Sequence, residues 1–140
     1  MNRAVYLGVL VFVVIAGCAK ESKKEMTVAE RLERGRYLVE NVGMCADCHT
    51  PMNEMGEPVR ENWLQGSPIL FKPVFEVPNW ADVALPIAGL PNISEENAVS
   101  VLETGVYGDN QRLRPPMPQF RLNHEDAVAV VAYLKSLRAE

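Results

Sequence analysis

The chain opens on a continuous apolar segment and then places three helical patterns between polar, proline-rich connections. The apolar segment covers residues 4–16, follows the single charge of Arg3 and ends at Gly17 and Cys18. A bilayer-spanning helix needs roughly 20 apolar residues, so this segment is too short to span a membrane. It has the length of the hydrophobic region of an export signal, about 7–15 residues, and charged residues follow it. The pattern therefore predicts a protein that leaves the cytoplasm.

The end of the signal favours a particular type of export. The residues Ile15, Ala16, Gly17 and Cys18 resemble the lipobox of bacterial lipoproteins, in which cleavage before the cysteine leaves it as a lipidated N-terminus. Residues 1–17 are then the signal, and residues 18–26 are a lipidated cysteine with a charged tether. Two or more acyl chains hold a protein stably on a membrane. We expect an anchored protein in the bacterial periplasmic space or at the cell surface; the alternative is an ordinary signal with an incidental cysteine.

Helical periodicity marks three segments of the remaining chain. The first begins after Thr27, whose spacing to Glu30 is that of a capping box, and ends at Gly43. The second covers residues 94–105, and the third covers residues 123–137. Apolar residues recur in them at intervals of three and four: Val28, Leu32, Val39 and Val42; Ala98, Val101 and Leu102; Ala127, Val130, Val131, Leu134 and Leu137. The pattern predicts an all-α domain of three main helices over residues 27–140.

The connections between these helices are unusually long. Residues 51–93 and 105–122 are rich in proline and glycine and carry no strong strand alternation. Long structureless loops are uncommon in a compact domain. We therefore expect another component to organise them.

Composition narrows the function classes. The chain has 140 residues, of which 48% are hydrophobic and 23% are charged, with a formal net charge of −4. These values argue against disorder, and the negative net charge argues against electrostatic binding of nucleic acid. A domain of this size builds only a modest core, so a cofactor with apolar surface would contribute to it.

One sequence motif predicts such a cofactor. Cys45, Cys48 and His49 form the C-x-x-C-H string to which c-type haem is attached: both thiols bond to the porphyrin, and the histidine becomes an axial ligand of the iron. A thioredoxin-like dithiol is disfavoured because a helix, not a strand, precedes the motif. A structural zinc site lacks ligands, since Cys18 and His124 are all that remain. A simple disulfide leaves His49 without a role. The motif occurs once, which predicts one covalent haem.

The second axial ligand must come from elsewhere in the chain, and the candidates are a methionine, a second histidine, or nothing. Met117 lies among Pro115, Pro116 and Pro118, which stiffen the backbone around it. Met52 and Met55 follow His49 too closely to reach the opposite face. His124 starts the last predicted helix, where a capping or solvent-facing role suits it. We therefore expect His49 and Met117 as the metal ligands.

Together these features resemble class I cytochrome c over residues 27–139. The shared features are a helix before C-x-x-C-H, a proline-bracketed methionine and a closing helix. The resemblance implies the cytochrome c-like fold, in which the first and last helices cross closely, with Gly35 permitting the approach and Tyr133 and Leu134 packing there. Residues 90–94 and Met117 are similar to the single haem modules of alcohol dehydrogenase cytochrome subunits, which carry three modules where this chain has one.

Ligation determines the expected function. Two protein ligands leave no position for a substrate, which predicts a single-electron carrier and not an enzyme. Its donor and acceptor would be redox proteins: a dehydrogenase, a quinol-oxidising complex, or a terminal oxidase or reductase. A haem enzyme, or a gas or peroxide sensor with an open sixth position, is the alternative.

Two further features leave alternatives open. Trp63 and Trp80 lie in a stretch without a motif, where they either cover a haem edge, with an indole N–H reaching a propionate, or pack within a loop. The positive side chains Arg112, Arg114 and Arg121 surround Met117 in sequence. They form either a docking patch for an acidic partner or solvated charges, one of them paired to a propionate.

Overall fold

The computed structural model describes residues 25–137, so the predicted signal, Cys18 and most of the tether lie outside the described residues. Four α-helices occur in the described part: α1 (Val28–Tyr37), α2 (Ala46–His49), α3 (Glu95–Thr104) and α4 (His124–Ser136). A π-helical segment, Leu38–Val42, continues α1. Between residues 25 and 137 no helix has the length and apolar character needed to cross a membrane.

Side-chain caps start the three longer helices where the sequence places them. Thr27 Oγ1 accepts a hydrogen bond from the backbone N–H of Glu30, whose carboxylate accepts one from the N–H of Thr27, which completes the capping box. The side chains of Ser94 and Asn123 cap α3 and α4 by accepting hydrogen bonds from the backbone N–H groups three residues later. These contacts satisfy N–H groups that a helix start otherwise leaves unpaired. The three predicted helix starts are confirmed.

The end of the first helix differs from its prediction. The N–H of Gly43 donates to the carbonyl of Leu38 at 2.7 Å, five residues back, so the last turn is wider than an α-helical turn. Because a wider turn shifts the following side chains around the axis, Val42 leaves the apolar stripe and is 51% exposed. Val28, in the first turn, is also exposed. Both were wrongly predicted to lie on the buried face.

The first and last long helices pack against each other at close range. A Cβ built on Gly35 would lie 2.7 Å from the Tyr133 Cβ, so the glycine is needed for this approach. Arg34 forms two hydrogen bonds with the Asp126 carboxylate, at 2.7 and 3.0 Å, beside the crossing. Buried residues around it form one core: Leu38, Val39, Ala46, Leu64, Ala88, Ala98, Val101, Leu102, Ala127, Val130, Val131 and Leu134. The close crossing expected for Gly35 is confirmed.

The long connections contain short regular elements that the sequence did not predict. Strand β1 (Ser67–Pro68) pairs antiparallel with β2 (Val83–Ala84), and β3 (Val106–Tyr107) pairs antiparallel with β4 (Gln111–Arg112). A single 3₁₀ turn covers Arg60–Asn62. Two-residue strands are too short to show alternation in a sequence. The described residues thus contain the three main helices expected from the sequence, and they add the short helix α2 and two short strand pairs, so the domain is not purely α-helical.

The loop from β1 to β2 is closed by contacts between its two ends. Lys72 forms an ion pair with Asp82, and the rings of Phe71 and Trp80 meet edge to face at 5.8 Å. The Ile69 N–H also donates to the Asp82 carbonyl at 2.8 Å. The loop is thus an organised part of the domain.

Candidate functional site

The C-x-x-C-H motif forms one short helical turn directly after the first helix. The N–H of Cys45 donates to the Val39 carbonyl at 3.0 Å, and the N–H of His49 donates to the Cys45 carbonyl at 2.9 Å. Met44 has a φ of 46°, which allows the sharp change of direction between the two helices. No disulfide joins Cys45 and Cys48. Helix α2 and its N-cap Cys45 therefore bring together three of the four residues predicted to hold the haem.

The environment of the thiols disfavours redox catalysis by the cysteines themselves. Burial raises the pKa of Cys45 to about 11, and burial together with the Asp47 charge raises the pKa of Cys48. Reactive dithiols have lowered pKa values, because the thiolate is their nucleophile. Across residues 25–137, no three His, Cys, Asp or Glu side chains converge on a position that could hold a metal ion. The raised pKa values therefore disfavour a redox-active dithiol at Cys45 and Cys48.

His49 has the geometry of a metal-ligating histidine. His49 is only 8% exposed, and its Nδ1 lies 2.7 Å from the carbonyl oxygen of Leu85. A carbonyl only accepts, so Nδ1 carries the proton and donates it, and Nε2 keeps its lone pair. Burial lowers the pKa of His49, against a smaller opposite effect of the Leu85 carbonyl, and so favours the neutral ring. A hydrogen bond that orients the ring in this way is typical of histidines that bind metals.

Thr50 helps to hold His49 near Leu85, a role that was not predicted from the sequence. Its side chain is fully buried, and Oγ1 accepts a hydrogen bond from the Leu64 N–H at 2.9 Å. The Leu64 carbonyl in turn accepts from the N–H groups of Ile87 and Ala88 at 2.9 and 3.1 Å. This chain of bonds connects the end of α2 to the segment that holds the Leu85 carbonyl. Only the position of Thr50 after the motif hints at it in the sequence.

Met117 lies in a half-buried turn that is joined to a distant segment. Within the turn, the Met117 N–H donates to the Arg114 carbonyl at 3.1 Å. The Pro115 carbonyl accepts from the Ala81 N–H at 2.7 Å. The Arg114 guanidinium donates to the carbonyls of Asn79 and Trp80 at 3.0 and 2.8 Å. The structure therefore joins the predicted ligand loop to the tryptophan segment.

Trp80 carries a buried polar atom without a hydrogen-bond acceptor. Its indole Nε1 has no partner among the described residues. Leaving such a donor unpaired costs about 1–3 kcal/mol, so an acceptor is expected there. A haem carries carboxylates that can accept this bond, and the donor set of thiols, imidazole and thioether is the one that c-type haem uses. The residues present fit this group.

Trp63 has a different environment from Trp80. It is half-buried, packs against the core, and lies under the Arg60 guanidinium at 4.2 Å from the ring centre. Trp63 therefore fits the interpretation of a packed side chain. The unpaired N–H of Trp80 fits the other interpretation, a side chain at a haem edge.

Other side chains weighed from the sequence have separate contacts. His124 is exposed, and its Nδ1 lies 2.7 Å from the Glu103 carboxylate. Arg121 donates to the carbonyls of Gln119 and Phe120 at 3.1 and 2.9 Å, and Arg112 is exposed on β4. Arg114 and Arg121 are thus bound to backbone carbonyls of the chain.

Comparisons with known proteins identify the family to which this chain is similar. The model of the family described as "Cytochrome c" matches residues 32–138. A protein named "Diheme cytochrome c-type" from Cereibacter sphaeroides is 50% identical over 44 residues, which cover 31% of this chain and 15% of that protein. The "Fructose dehydrogenase cytochrome subunit" of Gluconobacter japonicus is 31% identical over 114 residues, which cover 76% of this chain. The match covers 22% of that subunit, so the chain spans less than a quarter of either relative.

Proposed function

The chain belongs to the cytochrome c family, and we propose that it carries a single c-type haem whose iron is held between His49 and Met117. Family membership makes the protein a haem c electron-transfer protein with the cytochrome c fold, and not itself an enzyme. The proposal adds the number of haems, thioether bonds to Cys45 and Cys48, and both iron ligands.

The observation that carries the proposal is the bond between His49 Nδ1 and the Leu85 carbonyl. At 2.7 Å it fixes the ring and its tautomer, so the remaining nitrogen, Nε2, is the one available to iron. The two cysteines of the same turn hold the porphyrin covalently beside it. The buried, neutral imidazole needs no loss of a proton before it binds metal.

The remaining residues complete the environment of the haem. Met117 would supply a thioether to the iron, which would leave no position open to small molecules. Trp80 would donate its unpaired N–H to a carboxylate of the porphyrin. When bound, the haem supplies an iron centre that gains and loses one electron, and a thioether ligand raises its reduction potential. An iron centre bound by two protein ligands would suit an electron carrier, because no position remains for a substrate.

The haem content tests this proposal. The full chain is produced with haem-attachment machinery, and haem iron is quantified per chain before and after denaturing electrophoresis. We expect one haem per chain that remains bound after denaturation. Cys45→Ala and Cys48→Ala each lose one thioether bond and release haem more readily, whereas Cys18→Ser, the matched control at the other cysteine, retains it. A stoichiometry of two, or retention in the double variant of Cys45 and Cys48, would contradict the proposal.

We also propose a location and a class of partner. Export and lipidation at Cys18 would place the domain at a membrane surface, in the bacterial periplasmic space or outside the cell. The relative named as a fructose dehydrogenase cytochrome subunit supports a dehydrogenase as the electron donor. The acceptor is a second redox protein, such as a terminal oxidase or reductase.

A further inference from the structure

Arg114 joins the loop that carries Met117 to the segment that carries Trp80. We propose that Arg114 is a positioning residue: its two hydrogen bonds to the carbonyls of Asn79 and Trp80 hold the loop so that Met117 stays bound to iron. This inference rests on the proposed ligation by His49 and Met117.

The contact uses the shape of the guanidinium group. Nε lies 3.0 Å from the Asn79 carbonyl oxygen, and one terminal nitrogen lies 2.8 Å from that of Trp80. The two donors of one rigid, planar group therefore engage two successive carbonyls. The Ala81 N–H adds a third bond, to the Pro115 carbonyl at 2.7 Å. Three consecutive residues, 79–81, are thus joined to residues 114–115.

The composition of the loop explains why it needs this contact. Pro115, Pro116 and Pro118 have no N–H, so the backbone around Met117 has few donors of its own. In the described part of the chain, the backbone of residues 114–121 makes one hydrogen bond to another segment, the bond from Ala81. The next backbone bonds lie outside this stretch, from Leu113 to Gly105 and from Leu122 to Leu102. The side chain of Arg114 therefore provides two of the three hydrogen bonds that join residues 114–115 to residues 79–81.

A thioether is a weak ligand, so its binding depends on how well the protein presents it. If the links to residues 79 and 80 are removed, the loop samples more conformations and loses more entropy each time Met117 binds. Dissociation of the methionine then becomes faster, and an external ligand gains access to the iron. Arg114 would control this step through the position of the loop that carries Met117.

Displacement of Met117 by imidazole measures the effect. The oxidised holoprotein is mixed with saturating imidazole, and the loss of the methionine-to-iron absorption band gives a rate limited by methionine dissociation. Two charge-assisted hydrogen bonds are lost in Arg114→Gln, so we expect this rate to rise about tenfold or more. Arg114→Lys keeps the positive charge but lacks the planar pair of N–H donors, so we expect an intermediate rate. The matched control Arg112→Gln, with the same charge change two residues away, stays within about twofold of the parent rate.

A second control separates positioning from general destabilisation. Ser94→Ala removes the N-cap of α3 and lowers the denaturation midpoint without touching the loop. We expect its imidazole rate to match the parent. The proposal is overturned if Ser94→Ala accelerates displacement as much as Arg114→Gln does, or if both Arg114 variants behave as the parent. A parent spectrum without a methionine-to-iron band would instead refute the proposed ligation, and the inference with it.

Discussion

Gly35 of α1 lies directly against Ala129 of α4: a Cβ built at position 35 would be 2.0 Å from the Ala129 carbonyl oxygen. Real Cβ atoms do not approach backbone this closely, so any other residue forces the two helices apart. The contact lies in the crossing of α1 and α4, and the C-x-x-C-H turn follows the end of the first helix. The site therefore depends on one glycine ten residues before Cys45.

Gly35→Ala should destabilise the domain by about 1–3 kcal/mol or more, because overpacking moves backbone and not only side chains. Denaturant unfolding of the holoprotein measures the loss. Gly108→Ala is the control, since a Cβ there meets nothing within 4 Å and adds only the strain of a φ of 50°. Equal losses in the two variants would mean that the close approach to Ala129 is unimportant.

Thr50→Val should destabilise the protein although the two side chains have nearly the same shape. The valine cannot accept the hydrogen bond from Leu64, whose N–H then remains buried and unpaired, at a cost of about 1–3 kcal/mol. Thr50→Ser keeps the acceptor and should lose less. The two variants are compared by thermal unfolding of the holoprotein; if the serine variant proves the less stable, the hydrogen bond is not the main contribution of Thr50.

The Tyr133 hydroxyl donates to the Glu40 carboxylate at 2.6 Å. Burial first, and this acceptor second, raise the pKa of Tyr133 from 10.0 to about 12. Between these two values the folded protein holds a proton that the unfolded chain has lost. The free energy of unfolding should therefore fall as the pH rises from about 10 to about 12.

Tyr133→Phe should remove this part of the pH dependence, because phenylalanine has no proton to lose. Denaturation midpoints of both proteins, measured from neutral pH to pH 12, check the prediction. Parallel curves for the parent and the variant over that range would show that Tyr133 does not contribute.

Cys18→Ser should release the protein from the membrane fraction of a bacterial host that processes lipoproteins. Without Cys18 no acyl chains can be attached there, and in the proposed anchor the acyl chains bind the bilayer. Fractionation of cells, with haem absorbance as the readout, compares the variant with the parent. Parent protein found entirely in the soluble periplasmic fraction would contradict the anchor.

Local signals in the sequence predicted the helix starts and the attachment turn. Thr27, Ser94 and Asn123 cap their helices through side chains that bond within three residues, and such contacts are visible in a sequence. The turn at Cys45 and His49 follows from the motif itself. The close crossing at Gly35 was expected from the family resemblance, and the structure bears it out.

Contacts between distant segments could not be predicted in the same way. The wide turn at Leu38–Val42 results from the competition between two hydrogen-bond patterns, which periodicity does not resolve. The carbonyl partner of His49 lies 36 residues away, and the partners of Arg114 lie 34 and 35 residues away. Backbone carbonyls are present at every position, so no residue type marks the ones that accept these bonds.

The most direct measurement is the absorption spectrum of the oxidised and reduced holoprotein beside that of Met117→Ala. Ligation by His49 and Met117 predicts a low-spin spectrum in both oxidation states, with a weak methionine-to-iron band in the oxidised parent that disappears in the variant. The variant should also bind small ligands that the parent excludes. A high-spin or bis-histidine spectrum of the parent, or a band that survives Met117→Ala, would contradict the assignment and favour an open or differently ligated haem.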